Sequence, residues 1–342
     1  MSVIRHDPTT KEWVIIATER GERPHDFKKE DRARVLSLRE PSCPFYSGNE
    51  AKTPLEILRI PDREGDGWAV RVVPNKFAAL TAQGEPRTRE DGPLFREMDG
   101  VGHYEVIIET PIHNQFLPLM EDSEVEQVVH AYRERYLALR QDKRVKLILI
   151  FKNHGEAAGT SLEHPHSQLV ATPVLPASIR HRYDVAIQYD TATGRCLHCD
   201  IVEAERKAGE RVVFETDDFL VFHRFVSGSP YETWIAPKRH RPSFGQIMLE
   251  ECQALAVVLK TTLTRLGNAL NDPDYNFVIY TAPVGDEERE YYLWHIQILP
   301  RLTTVAGFEI GSGMRINIAK PEETAMFVRE ISTTAWCFTR TP

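Results

Sequence analysis

The chain has 342 residues, of which 42% are hydrophobic and 27% are charged, a composition typical of a soluble globular protein with room for two domains. Its net charge of −8 argues against a dedicated nucleic-acid-binding protein, which usually presents a basic face. The N-terminus lacks the apolar core of a signal peptide, no apolar run is long enough to cross a membrane, and the five cysteines are an odd number. These features predict a cytoplasmic protein without a membrane segment.

The first part of the chain is predicted to form short strands separated by turns. Strands are expected over residues 13–17, 68–73 and 103–110. A helix is expected to begin at Ser123, because Ser123 and Glu126 have the spacing of a capping box. Apolar residues then recur at helical spacing as far as Leu139, which predicts one buried helix face.

The most informative stretch follows this helix and reads VKLILIFKNHGEAAGTSLEHPHSQLVATP, from Val145 to Pro173. It predicts a buried strand, a polar loop and a second strand from His164 to Ala171. Side chains alternate along a strand, so His164, His166 and Gln168 are expected to share one face. A histidine pair of this kind is often a metal-binding or hydrogen-bonded pair, and that simpler interpretation stays open.

The loop within this stretch is rich in small residues but lacks the Gly-Lys-Ser/Thr ending of a P-loop. Small residues allow backbone N–H groups and the hydroxyls of Thr160 and Ser161 to approach a phosphate. An imidazole facing such a loop can attack phosphorus and become a covalent carrier. The pattern therefore favours phosphoryl chemistry centred on His166.

The second half of the chain repeats the organisation of the first. Apolar residues recur at helical spacing over residues 248–270, which predicts a long helix. Predicted strands lie before it, at residues 219–222 and 233–236, and after it, at residues 276–281 and 293–298. Cys196 and Cys199, followed later by His240, have spacing suited to zinc. The loop at residues 282–290 is acidic and would repel a phosphate, so the active site is expected in the first half.

Taken together, Asn153, Gly155, Ser161 and the segment His164-Pro165-His166-Ser167-Gln168 resemble the signature of the galactose-1-phosphate uridylyltransferase family, a branch of the histidine-triad superfamily. The resemblance extends over most of the chain. It implies an α+β fold of duplicated histidine-triad-like domains, each a mostly antiparallel sheet with packed helices. The expected domains are residues 1–190, which are catalytic, and residues 191–342, which contact the sugar and support the structure.

The resemblance also implies an activity. His166 would attack a nucleoside-diphosphate sugar and carry the nucleotidyl group, while Gln168 and Ser161 would donate hydrogen bonds to the phosphoryl oxygens. The expected reaction moves UMP between UDP-glucose and galactose 1-phosphate. An ADP-sugar phosphorylase is the alternative, because residues 311–317 resemble that branch. A histidine-triad nucleotide hydrolase and a non-catalytic nucleotide-binding protein also stay open.

Several further residues match substrate-binding positions of the family. The resemblance implies that Asn75 and Phe77 contact the base or ribose, and that Asn153, Gly159 and Thr160 lie at the phosphates. It also implies that Arg20 and Arg23 approach the nucleotide sugar, and that Phe308 and Glu309 contact the hexose. Some of the arginine contacts come from the partner subunit in the family. A homodimer with its active site near the interface is therefore expected, and its partners would be a nucleotide sugar and a sugar 1-phosphate.

Zinc is the expected metal, at two sites that each depart from the family at one ligand. The first would comprise Cys43, His113 and His164, with Tyr46 standing where a second cysteine is expected. The second would comprise Cys196, Cys199 and His240. Leu293 occupies its fourth position, and His295, two residues away on the same strand face, is the candidate substitute. The sequence thus predicts no more than about one zinc per chain.

Overall fold

A computed structural model describes residues 1–20, 37–38, 40–63, 65 and 67–334. The strands in this part of the chain are β1 (Val3–His6), β2 (Trp13–Ile16), β3 (Leu58–Ile60), β4 (Val70–Pro74), β5 (Thr88–Asp91), β6 (Phe95–Met98), β7 (His103–Ile108), β8 (Leu147–His154), β9 (His166–Thr172), β10 (Val212–Glu215), β11 (Phe219–His223), β12 (Thr233–Pro237), β13 (Tyr275–Tyr280), β14 (His295–Pro300) and β15 (Arg315–Asn317). The α-helices are α1 (Asp122–Leu139), α2 (Ala177–Thr193), α3 (Leu197–Ala208), α4 (Leu249–Leu270), α5 (Gly307–Ser312) and α6 (Pro321–Glu330).

Ten of these strands form one continuous antiparallel sheet, in the order β10-β11-β12-β14-β13-β8-β9-β7-β4-β3. The order of the second-half strands mirrors that of the first-half strands about the junction between β13 and β8. This mirrored order agrees with the duplication predicted from sequence, and the α+β class is confirmed. A division of the chain at residue 190, which lies within α2, stays a prediction.

The two long helices pack together against the sheet. Helices α1 and α4 contribute to one apolar cluster that also includes side chains from strands of both halves. Val125 and Val128 of α1 and Leu255 and Leu259 of α4 are almost completely buried. Each such side chain contributes about 1.5–3 kcal/mol through burial, so this shared core holds the halves together.

Helix α1 begins one residue before the predicted start, and its cap differs from the prediction. The carboxylate of Glu124 accepts a hydrogen bond from the Glu121 backbone N–H at 2.6 Å, whereas Ser123 accepts one from Arg63. Ser123 and Glu126 therefore do not form the predicted capping box, because a neighbouring acidic pair occupies the helix entrance.

The N-terminal segment joins the last part of the chain in a small separate sheet, where β2 pairs with β1 and, in parallel, with β15. Among the described residues, none of the helices has the length and apolar character to span a bilayer. Arg20 ends a short 3₁₀ turn, and Arg23 lies outside the described residues.

Candidate active site

His166 is held in a defined orientation at the first residue of β9. Its Nδ1 lies 2.8 Å from the carbonyl oxygen of His164, and a carbonyl oxygen only accepts, so Nδ1 carries the proton. The other ring nitrogen, Nε2, is then left with a free lone pair. Burial lowers the pKa of His166, which keeps the imidazole neutral near pH 7. A neutral, oriented imidazole is suited to nucleophilic attack.

A buried ion pair supports the backbone at this position. The Nζ of Lys152 lies 2.5 Å from a carboxylate oxygen of Glu109 and 3.2 Å from the carbonyl oxygen of His166. Lys152 is 1% exposed and Glu109 is 2% exposed. The hydroxyls of Ser167 and Tyr132 bond to the other Glu109 oxygen, so the carboxylate has several partners. Burial lowers the pKa of Lys152, an effect that the Glu109 carboxylate opposes.

Gln168 lies two residues beyond His166 on the same strand and is oriented by Tyr104. The Tyr104 hydroxyl donates to the Oε1 of Gln168 at 2.6 Å. Asn75 lies next to this pair, because its backbone N–H donates to the Tyr104 carbonyl at 2.8 Å. Its side chain accepts the N–H of Phe77, whose ring is 86% exposed. The predicted base-binding turn thus adjoins the strand that carries Tyr104.

The small-residue loop is a tight turn in which four backbone N–H donors are already used. The Ala157 N–H donates to the Asp274 carboxylate. The N–H groups of Ala158, Gly159 and Thr160 donate to carbonyl oxygens within the loop. Gly159 has φ 86°, a conformation that favours glycine. The Thr160 hydroxyl donates to the Asn153 carbonyl at 2.6 Å. These groups therefore do not form the expected phosphate cradle as they stand, whereas Ser161 is exposed.

Residues of the second half hold this loop in place. Asn276 of β13 lies opposite Asn153 of β8, and its Nδ2 donates to the Asn153 Oδ1 at 2.7 Å and to the Ala158 carbonyl at 2.9 Å. Arg301 in turn donates to the Asn276 Oδ1 at 2.5 Å. The small-residue loop of one half is thus positioned by the other half, a relationship that the sequence did not reveal.

The first predicted metal set is brought together. The ligand atoms of Cys43, His113 and His164 lie within 4.8 Å of one another, and the two Nδ1 atoms are 3.3 Å apart. The His164 Nε2 donates to the Thr110 carbonyl at 2.7 Å, which leaves Nδ1 unprotonated for a metal. Burial lowers the pKa of His164 to about 3. These donors fit a borderline-soft ion such as zinc.

The second set comprises Cys196, Cys199 and His240, whose ligand atoms also lie within 4.8 Å of one another. The His240 Nδ1 is 3.0 Å from the Cys199 Sγ. Hydrogen bonding from the Cys199 thiol lowers the pKa of Cys196, and the same contact raises that of Cys199. A thiolate beside a thiol and an imidazole also fits zinc.

His295 does not join the second set, which corrects its prediction as the substitute ligand. A step of two residues along a strand displaces a side chain by about 6.6 Å, so a shared face does not give a shared position. The His295 ring stacks on Trp234 with centroids 3.9 Å apart, and its Nδ1 lies 3.1 Å from the Leu293 carbonyl oxygen.

Glu309 has a different setting from the predicted hexose contact. Its carboxylate accepts the backbone N–H of Ala306 at 3.1 Å and that of Ile316 at 3.2 Å, and so caps α5 and ties it to β15. Phe308 beside it is 53% exposed. Of the two predicted arginines, neither side chain falls within the described part of the structure.

The chain was also compared with known proteins. A family model described as galactose-1-phosphate uridyl transferase, N-terminal domain, matches residues 1–176, and the C-terminal domain model matches residues 182–331. ADP-glucose phosphorylase of Arabidopsis thaliana is 35% identical over 334 residues, covering 97% of this chain and 93% of that protein. Galactose-1-phosphate uridylyltransferase of Thermotoga maritima is 30% identical over 339 residues, covering 96% and 98%.

Solved structures show the same relationship. The crystal structure of the Arabidopsis thaliana ADP-glucose phosphorylase with bound ADP-glucose superposes with a TM-score of 0.82 at 31% identity, covering 98% of this chain and all of that one. A uridylyltransferase structure superposes with a TM-score of 0.72 at 29% identity, covering 96% and 98%.

Proposed function

Because the chain belongs to the galactose-1-phosphate uridylyltransferase family, a group of nucleotidyltransferases, we propose that it transfers a nucleotidyl group through a covalent bond to His166. The observation that carries the proposal is the 2.8 Å contact between the His166 Nδ1 and the His164 carbonyl, which leaves Nε2 as the nucleophile. In the first step Nε2 bonds to the α-phosphorus and the bond to the sugar 1-phosphate breaks. In the second step an acceptor oxygen bonds to phosphorus and the N–P bond breaks.

We further propose that the donor is ADP-glucose and the acceptor is inorganic phosphate, so that the reaction is phosphorolysis. This choice differs from the hexose 1-phosphate expected from the sequence. The Arabidopsis relative supports it by its identity over nearly the whole chain. The setting of Glu309 also supports it, because a carboxylate engaged by two backbone N–H groups has less capacity to bind sugar hydroxyls.

Transfer of UMP between UDP-glucose and galactose 1-phosphate is the second candidate. The Thermotoga maritima relative favours it, since that uridylyltransferase is 30% identical and matches over 98% of its length. The exposed Phe77 ring can accept either a uracil or an adenine, so the predicted base-binding turn does not exclude either nucleotide.

The test of the covalent step is direct. The protein is incubated with ADP-glucose or UDP-glucose without an acceptor, and its mass is measured. We expect one acid-labile nucleotidyl group at His166 and none in the His166→Ala variant. Turnover of the His166→Ala variant at the wild-type rate would contradict the mechanism.

We propose zinc as a structural ion held by Cys196, Cys199 and His240, and more weakly by Cys43, His113 and His164. Zinc bound in this way stabilises the fold and takes no part in the transfer.

A homodimer and a cytoplasmic location also stay proposals. Large apolar side chains with high exposure support an interface in the first half, namely Leu55, Leu94 and Phe95. Light scattering during gel filtration tests the dimer, and a monomer at micromolar concentration would contradict it.

A further inference from the structure

The two halves of the sheet carry equivalent glutamines with opposite amide orientations. In the first half, the Tyr104 hydroxyl donates to the Oε1 of Gln168 at 2.6 Å. In the second half, the Nε2 of Gln297 donates to a carboxylate oxygen of Glu232 at 2.7 Å. One glutamine is therefore held by its oxygen, and the other is held by its nitrogen.

The strand register shows that these pairs are equivalent. Gln168 of β9 lies opposite Val106 of β7, and Gln297 of β14 lies opposite Trp234 of β12. Tyr104 comes two residues before Val106, and Glu232 comes two residues before Trp234, so each partner is the diagonal neighbour of its glutamine. The exchange of tyrosine for glutamate is thus the local difference that reverses the amide.

This reversal decides which end of each glutamine is available. A carboxylate only accepts hydrogen bonds, so Glu232 binds the NH₂ group of Gln297. The amide oxygen of Gln297 is then left for other contacts. A phosphoryl oxygen also only accepts, so a glutamine that binds one must offer its NH₂ group and satisfy its oxygen elsewhere. Burial raises the pKa of Tyr104, so its hydroxyl keeps the proton that it donates.

We infer that Tyr104 is a positioning residue for nucleotidyl transfer, which it supports by fixing the Gln168 amide with its NH₂ group toward the substrate phosphate. This inference rests on the proposed function and extends it to a residue outside the catalytic motif. Tyr104 acts through Gln168 and not on the substrate. Among the residues that the structure describes, the Tyr104 hydroxyl is the group hydrogen-bonded to the Gln168 amide, so its loss leaves both amide orientations open, and the inverted one places an oxygen against phosphate.

A double-mutant cycle with Tyr104→Phe and Gln168→Ala tests the inference, with phosphorolysis of ADP-glucose as the readout. We expect Tyr104→Phe to lower kcat about tenfold and to raise KM severalfold, since an inverted amide opposes the bound phosphate and opposes it more strongly as charge develops. In the Gln168→Ala background the same change should have no further effect. Equal losses in both backgrounds, or no loss in the wild-type background, would overturn the inference.

A second arm separates this inference from the proposed function. Binding of ADP-glucose is measured by calorimetry in the His166→Ala background, which needs no turnover. We expect Tyr104→Phe to weaken binding severalfold when residue 168 is glutamine and to have no effect when it is alanine. Equal effects in both backgrounds would overturn the inference, whether or not the proposed transfer reaction is correct. Tyr189→Phe is the matched control, because Tyr189 is also partly buried and its hydroxyl donates to Asp200 at 2.6 Å. It should leave kcat and binding unchanged.

Discussion

His166 and His295 occupy equivalent positions in the two halves of the sheet, and each ring is held by the carbonyl oxygen two residues earlier. The contact is 2.8 Å for His166 and 3.1 Å for His295. The space around the rings differs, because Trp234 stacks on His295 where the first half has the smaller Val106. The second half therefore keeps the strand geometry of the proposed nucleophile but covers the ring more completely, since His295 is 1% exposed and His166 is 8% exposed.

The first prediction compares these two histidines. His166→Ala should abolish nucleotidyl transfer, whereas His295→Ala should retain it per folded molecule, because substrate cannot reach a ring under an indole. The loss of a buried ring should lower the free energy of unfolding of the His295→Ala protein by about 2–5 kcal/mol. Steady-state kinetics and urea unfolding measure the two effects. Loss of transfer in well-folded His295→Ala protein would assign chemistry to the second half.

The second prediction concerns the buried ion pair. Lys152→Met leaves the Glu109 carboxylate without its cation and should lower the free energy of unfolding by about 3–5 kcal/mol. Lys152→Met combined with Glu109→Gln removes both charges and should recover most of that loss. Arg89→Met is the control, because the ion pair of Arg89 and Glu97 is well exposed and contributes about 0–1 kcal/mol. Additive losses in the double variant would show that the two charges do not stabilise each other.

The sequence predicted the two long helices α1 and α4 and most strands of the large sheet, because apolar periodicity is a local property, but it did not predict α2, α3, α5 or α6. It also predicted that His166 and Gln168 share a face, since alternation along a strand requires it. It missed Tyr104 and Asn276, whose hydrogen bonds to Gln168 and Asn153 depend on strand pairing between distant segments. For the buried ion pair with Glu109 the sequence did offer a signal, because a charged residue such as Lys152 inside an apolar strand implies a buried partner.

The same limit explains the correction at His295, and it leaves the hexose contact predicted for Glu309 untested. Spacing placed His295 on the correct strand face but did not reveal the stack with Trp234. Family resemblance placed Glu309 near the sugar, but whether its carboxylate is free depends on the fold of residues 306–316. Both questions concern which of several possible partners a polar group meets, and that is decided by tertiary packing.

The third prediction is a loss of stability in mild acid caused by His223. Burial lowers its pKa to about 3 in the folded protein, from an ordinary value of 6.5. Between these values the unfolded chain binds the proton and the folded chain does not, so stability falls as the pH decreases below about 6.5. At pH 5 the expected loss from this residue is about 2 kcal/mol. Urea unfolding at pH 7 and pH 5 should show a smaller difference for His223→Gln; an unchanged difference would refute the assignment.

The fourth prediction is the metal content. Each set has three gathered donors, but only the second has two cysteine sulfurs, so we expect no more than about one zinc per chain, at Cys196, Cys199 and His240. Elemental analysis of purified protein should find this zinc and should lose it in Cys199→Ser. Cys43→Ser, in the other set, is the matched control and should retain it. Two tightly held ions per chain would contradict the ligand count.

The last prediction concerns the acceptor. We expect kcat/KM for ADP-glucose with phosphate to exceed that for UDP-glucose with galactose 1-phosphate by tenfold or more, about 1.4 kcal/mol in transition-state binding. Because Glu309 accepts the N–H groups of Ala306 and Ile316, Glu309→Ala should lower stability by about 1 kcal/mol and reduce both reactions by similar factors. Glu309→Gln keeps an acceptor oxygen and is the control. A tenfold preference for the hexose pair, or selective loss of hexose transfer in Glu309→Ala, would instead assign Glu309 to the sugar and make uridylyl transfer the activity.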